Sequence, residues 1–273
     1  MPWLKRGLNR FVPSVIWQSR PQIPITLRNM PEDSVILDIG AGSGVLSEAL
    51  SYDYGQVIAF EPVIERIEFM RTRFEQEGRG NIRIVRGNAL ELPFFENTFD
   101  LAVISGVLEW VPESDPRSNP KAVQMRLLKS AFNLLKPGGY LCLGIENRIT
   151  VHYLLGAKDP HFPLAYVTIM PRPLAWLYSK LRTGRAYRNY LYTSRGYRKM
   201  LSKTGFSNIE IFSSVDSYND PRFMMPLRDN VYSFYADYMA YPPATWKGRL
   251  LRKVVPKRLL KFCGYAYIML ARK

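Results

Sequence analysis

Asp38 ends the apolar run Val35-Ile36-Leu37 and is followed by glycines at positions 40, 42 and 44. A carboxylate at the end of an apolar strand is costly unless a cationic or hydrogen-bonding ligand meets it. Glycines at alternate positions let the backbone fold tightly and let a ligand approach without side-chain obstruction. A helix beginning near Gly44 turns its free N–H groups and positive dipole end toward whatever is bound. A second carboxylate, Glu61, stands seventeen residues past Gly44 and closes the run Val57-Ile58-Ala59-Phe60. A carboxylate there accepts paired hydroxyls well in bidentate fashion.

Residues able to move a proton are few. His152 follows the apolar run Tyr140 to Ile145, on the side where substrates bind in open α/β sheets, and Glu146 with Asn147 sits at that run's tip. His152 ranks first and Glu146 second as catalytic base. His161 belongs to the turn-like Lys158-Asp159-Pro160-His161, and Glu109 lies in Gly106-Val107-Leu108-Glu109-Trp110. Each histidine also suits a surface or structural role, Glu109 a local cap or pair, and Glu146 a salt bridge to Arg148. No metal site is read from these positions. Between 171 and 200, arginines 172, 182, 185, 188, 195 and 198 interleave with Trp176 and five tyrosines. That mixture suits phosphate forks and stacking platforms, or a solvated basic face.

The elements that must hold these groups alternate. Short β-branched runs at Val35–Ile39, 57–60, 82–86, 101–104 and 140–145 read as strands, with helical periodicity over 45–51, 65–76 and 121–135 between them. Pro137-Gly138-Gly139 reads as the signal that ends the third helix. Such alternation implies right-handed crossovers and a parallel sheet. A helix from Ser194, closed by Gly205, and strands at 209–213 and 265–271 complete the reading. With 273 residues and 47% hydrophobic residues, the chain can bury a full core. Two cysteines make no disulfide framework, and Cys142, inside an apolar strand, reads as a buried thiol. The first residues lack a continuous apolar stretch of the signal-peptide kind, and 262–271 is too short to span a bilayer. A cytoplasmic location is expected, with peripheral contact at the inner membrane face.

Charge divides the chain. Its formal net charge is +15, yet residues 31–159 hold 13 Lys/Arg against 18 Asp/Glu, whereas 160–209 hold nine basic residues and no acid. Residues 1–30 and 241–273 are likewise basic without acids. Basic additions around a mildly acidic centre point to an anionic partner: a phosphate-bearing substrate, a membrane surface or a nucleic acid.

Val35–Val45, Phe60-Glu61, Gly87-Asn88-Ala89 with Leu92-Pro93-Phe94, Phe99-Asp100-Leu101 and Leu134 to Tyr140 occur in the order and spacing of a known family. The chain resembles a class I S-adenosylmethionine-dependent methyltransferase. The resemblance implies a Rossmann-like, doubly wound sheet of seven strands, the last one antiparallel and inserted between strands five and six. It also implies S-adenosylmethionine as cofactor. Backbone N–H groups of Gly40, Ala41 and Gly42 would then face the methionine carboxylate, and Asp38 would organise the turn and the amino group, with Gly44 opening the helix. Glu61 would hold the ribose hydroxyls, Asn88 and Ala89 would border the adenine, and Ser105 would border the methionine part. The dinucleotide spacing G-x-G-x-x-G would need glycine at 45, where this chain has Val45.

A narrower resemblance rests on Ile145-Glu146-Asn147-Arg148, His152, Gly156, Asp159-Pro160-His161, Gly196-Tyr197-Arg198 and Thr204-Gly205-Phe206. It is similar to methyltransferases of bacterial surface-polysaccharide biosynthesis and implies O-methylation of a sugar or lipid-linked glycan intermediate. The alternatives are another small molecule, such as a natural product or quinone-like ring, then RNA, and last a non-catalytic binding module. The expected organisation is a basic cap over 1–30, a cofactor core over 31–148, a substrate-side insertion or lid over 149–193, and the rest of the sheet over 194–273. That last part includes a second insertion and a basic C-terminal segment suited to an anionic membrane or to packing on the sheet.

Overall fold

The run Val35–Ile39 is strand β1 in the computed structural model of the chain, which describes residues 30–214, 217–218, 224–227, 246, 250 and 262–273. The basic cap lies outside these residues except for Met30, and so do most of the second insertion and most of the basic segment before the last strand. After β1 come α1 (Val45–Ser51), β2 (Gln56–Glu61), α2 (Ile64–Gln76), β3 (Ile82–Arg86) and β4 (Phe99–Ser105). They are followed by α3 (Pro120–Leu134), β5 (Leu135–Glu146), α4 (Val151–Leu154), α5 (Arg172–Thr183) and α6 (Ser194–Thr204). The described chain closes with β6 (Ser207–Ser214), β7 (Met224–Pro226) and β8 (Ala266–Arg272).

The sheet runs β3-β2-β1-β4-β5-β8-β6-β7. Its first five strands are parallel neighbours, and β8 pairs antiparallel with both β5 and β6. The inserted antiparallel strand is therefore present. The count of seven strands is corrected to eight, because Met224–Pro226 pairs with the free edge of β6. Three residues carry no periodicity to read, but Met224 and Met225 bury fully there.

Both faces of the sheet are covered, as parallel strands require. Leu37, Ile39, Ala102, Ile104 and Leu143 pack with Leu127, Leu128 and Leu201 of α3 and α6. Ile36, Val57, Leu101 and Val103 pack on the other face with Leu46 and Leu50 of α1. Fully burying each such side chain contributes about 1.5–3 kcal/mol. The Cys142 thiol, also buried, is pushed up to about 12 by that burial and by the charge of Asp38, so it stays protonated.

The two ends of α3 are made differently. Asn119 caps α3, its side chain accepting the Lys121 N–H at 3.0 Å, and Pro120 takes the first helical position. At the other end α3 passes straight into β5 without a separate turn. Phe99 pairs with Leu135 and Leu101 with Tyr140, so Pro137-Gly138-Gly139 forms an irregularity inside the ladder.

Candidate active site

Asp38 and Glu61 sit at the carboxyl ends of β1 and β2, both buried. Glu61 Oε2 accepts the Gly42 N–H at 2.9 Å and Oε1 accepts the Val63 N–H at 3.2 Å. The Gly40 and Ala41 N–H groups both donate to the Phe60 carbonyl, at 2.7 and 3.1 Å. The expectation that the N–H groups of Gly40, Ala41 and Gly42 face the ligand carboxylate is corrected: all three bond within the protein. The turn is instead locked onto β2, which fixes its shape before any ligand arrives.

Asp38 Oδ2 accepts the Ser47 hydroxyl at 2.6 Å. Burial raises the Asp38 pKa to about 6 and the Glu61 charge adds to this, while Ser47 partly offsets both. A cation beside Asp38 would return it to the ionised form. Ser47 was not singled out in the sequence, although its place in the first helix after the glycines is the signal for it.

The three glycines differ. A Cβ on Gly40 would lie 2.3 Å from a Val107 methyl, and one on Gly44 would lie 2.5 Å from Phe74. A Cβ on Gly42 would meet nothing nearer than the Gly40 carbonyl at 4.0 Å. Gly42 therefore borders open space, and the other two are sealed against neighbouring side chains. Asn88 is exposed beyond β3, and its side-chain oxygen accepts the Leu90 N–H at 3.0 Å. That oxygen keeps a second lone pair, and the amide N–H groups add donors. Ala89 is half-buried beside it, and Ser105 ends β4 opposite Gly144.

Farther along the same edge, three side chains converge. Glu109 follows β4, Glu146 ends β5, and His161 comes from the segment after α4. His161 Nε2 lies 3.3 Å from Glu146 Oε1 and 3.7 Å from Glu109 Oε1. Both glutamates are buried, and both Glu109 oxygens, Glu146 Oε2 and His161 Nε2 lack a well-aligned hydrogen-bond partner. Charge attraction therefore holds the group together, with ligand atoms within 4.8 Å of one another.

His152, ranked first from the sequence, is exposed on α4 and meets the Tyr265 ring edge-on at 5.9 Å. The histidine beside Glu146 is His161. Asp159 sets it in place, its carboxylate accepting the His161 N–H at 2.7 Å, the Thr168 hydroxyl at 2.6 Å and the Tyr187 hydroxyl at 2.9 Å. Asn189 donates to the Glu109 carbonyl and Tyr197 to the Glu146 carbonyl, fixing the backbone behind each acid. Trp110, half-exposed, meets the His161 ring edge-on at 4.9 Å. The cluster and the glycine turn touch through Val107, two residues before Glu109.

Burial works against protonation of His161, but Glu146 and then Glu109 outweigh it and hold its pKa above the ordinary value. Burial, followed by the Glu146 charge, pushes Glu109 up to about 8, with His161 pulling the other way. The protonated form of Glu109 is thus the one the fold favours, and the stability it contributes is lost as pH rises from 4.5 toward about 8. Replacing Glu109→Gln is expected to flatten stability across that window by up to about 1.4 kcal/mol per pH unit. Urea unfolding at a series of pH values reads this, and parallel wild-type and variant curves would remove Glu109 from the account.

The arginines expected to fork phosphate are largely occupied. Arg188 donates to the carbonyls of Pro112, Asp115 and Ser118, Arg172 to that of Leu191, and Arg198 to that of Ile209. Arg182, Arg185 and Arg195 remain exposed. Cavities of about 420 and 590 Å³ beside α6 and β6 contain none of Asp38, Glu61 or His161.

Comparison with known proteins bears on this arrangement. Residues 37–143 match the family model described as "Methyltransferase domain". The demethylmenaquinone methyltransferase of Lactococcus lactis is 30% identical over 139 residues, 50% of each chain. The ubiquinone/menaquinone biosynthesis C-methyltransferase of Haemophilus ducreyi is 36% identical over 110 residues, 39% of each. The chain thus spans half or less of the length of the curated relatives it matches. A solved S-adenosylmethionine-dependent methyltransferase from Methanosarcina mazei shares the fold, with a TM-score of 0.56 at 20% identity over 93% of this chain and 98% of that one. Residues 37–143 are thus similar to a methyltransferase domain, and the chain shares the fold of the solved S-adenosylmethionine-dependent enzyme.

Proposed function

We propose that the whole chain is a methyltransferase that uses S-adenosylmethionine to methylate a small-molecule acceptor, a hydroxylated, quinone-like ring, and that His161 with Glu146 and Glu109 takes up the acceptor's proton. The observation that carries the donor half is the pair of buried carboxylates, Asp38 and Glu61, around a turn where Gly42 borders open space. The residues fit the cofactor. Glu61 Oε2 accepts the Gly42 N–H, and Oε1 accepts the Val63 N–H and, at 3.5 Å, the exposed Arg66 guanidinium; of about four acceptor positions one is free for a ribose hydroxyl, and displacing Arg66 opens a second. Asp38 suits an ammonium group, and the Asn88 amide suits a ring nitrogen of adenine. When bound, S-adenosylmethionine supplies a methyl group already activated by the sulfonium charge.

The chain's own contribution is alignment and proton management. Holding two reactants in line contributes about 7–11 kcal/mol to lowering a barrier of this kind. The Val107–Gly40 contact joins the donor turn to the acid cluster and so fixes their separation. Methylation at a ring carbon needs the hydroxyl proton removed first, which makes the adjacent carbon nucleophilic, and a ring proton removed afterwards. A cluster of two carboxylates and an imidazole can hold such protons in turn. Trp110 offers the acceptor ring an aromatic face or edge beside His161.

The ring acceptor is favoured over the sugar or lipid-linked glycan because the relatives are a demethylmenaquinone methyltransferase and a ubiquinone/menaquinone biosynthesis C-methyltransferase, and because Arg172, Arg188 and Arg198 already bond backbone carbonyls. Calorimetric titration with S-adenosylmethionine tests the donor half: wild type binds, and Glu61→Ala weakens binding by about tenfold, as loss of hydrogen bonds to a charged group would. Absence of binding by the folded wild type sinks the enzymatic reading. Methyl incorporation into a reduced naphthoquinone, set beside a nucleotide-activated sugar, tests the acceptor. Treatment with a chelator is expected to leave turnover intact, and a loss restored by a divalent cation would replace proton uptake with metal binding at the cluster.

A further inference from the structure

Helix α5 is amphipathic in the inverse of the usual sense. The side packed on the protein is small, with Ala175 and Ser179 buried and the Ser179 hydroxyl accepting the Tyr187 N–H at 2.8 Å. At 3.6 residues per turn, Leu174, Leu177 and Leu181 fall on the opposite face. Their exposures are 56, 48 and 77%, and Trp176 beside them is 45% exposed. A surface helix normally turns polar residues outward. Here the outward stripe is leucine, flanked by Trp176 and Lys180, with the exposed Arg182 in the last turn and Arg185 just past the end.

Charge decides what covers the stripe. Residues 160–209 hold nine Lys/Arg and no acid, so a second copy would bring like charge against like. The chain's own segments 1–30 and 241–273 are also basic without acids, and the same repulsion applies to them; residues 210–240, with two Lys/Arg and five Asp/Glu, have the opposite sign, and their seating on α5 would leave wild type unable to bind vesicles. An apolar stripe with a flanking indole and cations matches a helix lying in the headgroup region of a membrane, where anionic lipid attracts the cations. With 12 residues the helix is too short to span, and among the described residues no helix is long and apolar enough to cross a membrane.

We propose that α5 lies in the headgroup layer of an anionic bilayer, with Leu174, Leu177 and Leu181 inserted and Lys180, Arg182 and Arg185 on the lipid phosphates. The same segment carries the cluster. Ala175 packs with Phe162, Val167 and Tyr187, and the Tyr187 hydroxyl bonds Asp159, which sets His161. Docking through α5 brings the proton-accepting group to the bilayer surface, where an acceptor with an apolar tail resides.

The experiment uses the full chain and vesicles of phosphatidylcholine, with and without about one-third phosphatidylglycerol, read by co-sedimentation. Wild type sediments with the anionic vesicles, and raising salt from about 0.1 to about 1 M weakens this as screening shortens. Leu177→Asp with Leu181→Asp lowers partitioning about tenfold or more, while thermal stability and S-adenosylmethionine binding stay unchanged, because both side chains face outward. Lys180→Glu with Arg182→Glu abolishes the preference for anionic over neutral vesicles. The proposal is overturned if wild type ignores anionic vesicles, if the leucine variant partitions as wild type does, or if sedimentation velocity shows a dimer that the leucine variant dissolves. The partitioning assay contains neither cofactor nor acceptor, so its failure leaves the methyl-transfer reading standing.

Discussion

Replacing His161→Ala is expected to lower turnover about 10²–10⁴-fold, the range lost with a positioned acid or base, while cofactor affinity stays unchanged. The imidazole sits 3.3 Å from Glu146 and 3.7 Å from Glu109, and Asp159 fixes its backbone from behind. His152→Ala should leave turnover intact, since that ring is exposed on α4. The pH profile sharpens the test. His161 accepts a proton only when neutral, and the two glutamates hold its pKa above 6.5, so turnover climbs with pH on a limb above that value. Glu146→Gln removes the nearer negative charge and moves the limb to lower pH. Partial rescue of His161→Ala by added imidazole would mark proton uptake and not a packing defect. Equal losses in His152→Ala and His161→Ala, or a limb that Glu146→Gln leaves in place, would falsify the assignment.

The second large effect falls on the glycine turn, and it separates two kinds of damage. Gly40→Ala puts a Cβ 2.3 Å from a Val107 methyl at a φ of +75°. The left-handed backbone costs about 1–2 kcal/mol and overpacking adds about 1–3 kcal/mol, a large share of the about 5–15 kcal/mol that holds a typical domain together. Adding Val107→Ala should recover the packing part and leave the backbone part. Gly42→Ala is different. Its φ is +60°, but its Cβ meets open space, so the fold loses only about 1–2 kcal/mol, while S-adenosylmethionine loses its approach to the backbone. Thermal unfolding paired with calorimetry reads both, and a Gly42→Ala protein that binds as wild type does would move the cofactor elsewhere.

The glycine turn with its two carboxylates was legible because its signals are local. Asp38, three glycines and Glu61 lie within 24 residues, and strand and helix periods on either side are strong. The proton-accepting cluster was not, because its members meet only through tertiary packing. Glu109 follows β4, Glu146 ends β5, and His161 arrives fifteen residues beyond the second of them. Nearness along the chain favoured His152, but α4 turns that residue outward. The Asx turn at Asp159-Pro160-His161 was the available signal, and it shows what carries His161 without showing what it faces. The arginine-rich stretch was misleading for a related reason. Guanidinium groups at 172, 188 and 198 bond carbonyls that no pattern exposes. The edge strand β7 is too short to show a period, and it entered the sheet unannounced.

The insertion of β8 also dictates when this protein can finish folding. β5 and β6 share no ladder; each pairs with β8, from Ala266 to Arg272. The five parallel strands up to β5 can assemble while synthesis continues, since domains form as the chain emerges. Until residues 266–272 emerge, β5 and β6 both present open edges, which invite pairing with other chains. The nascent protein thus passes through a stage with the donor half built and its sheet split. A premature stop between Pro226 and Ala266 would leave two open edges in the middle of the sheet, so its consequence is aggregation and not merely a shortened tail.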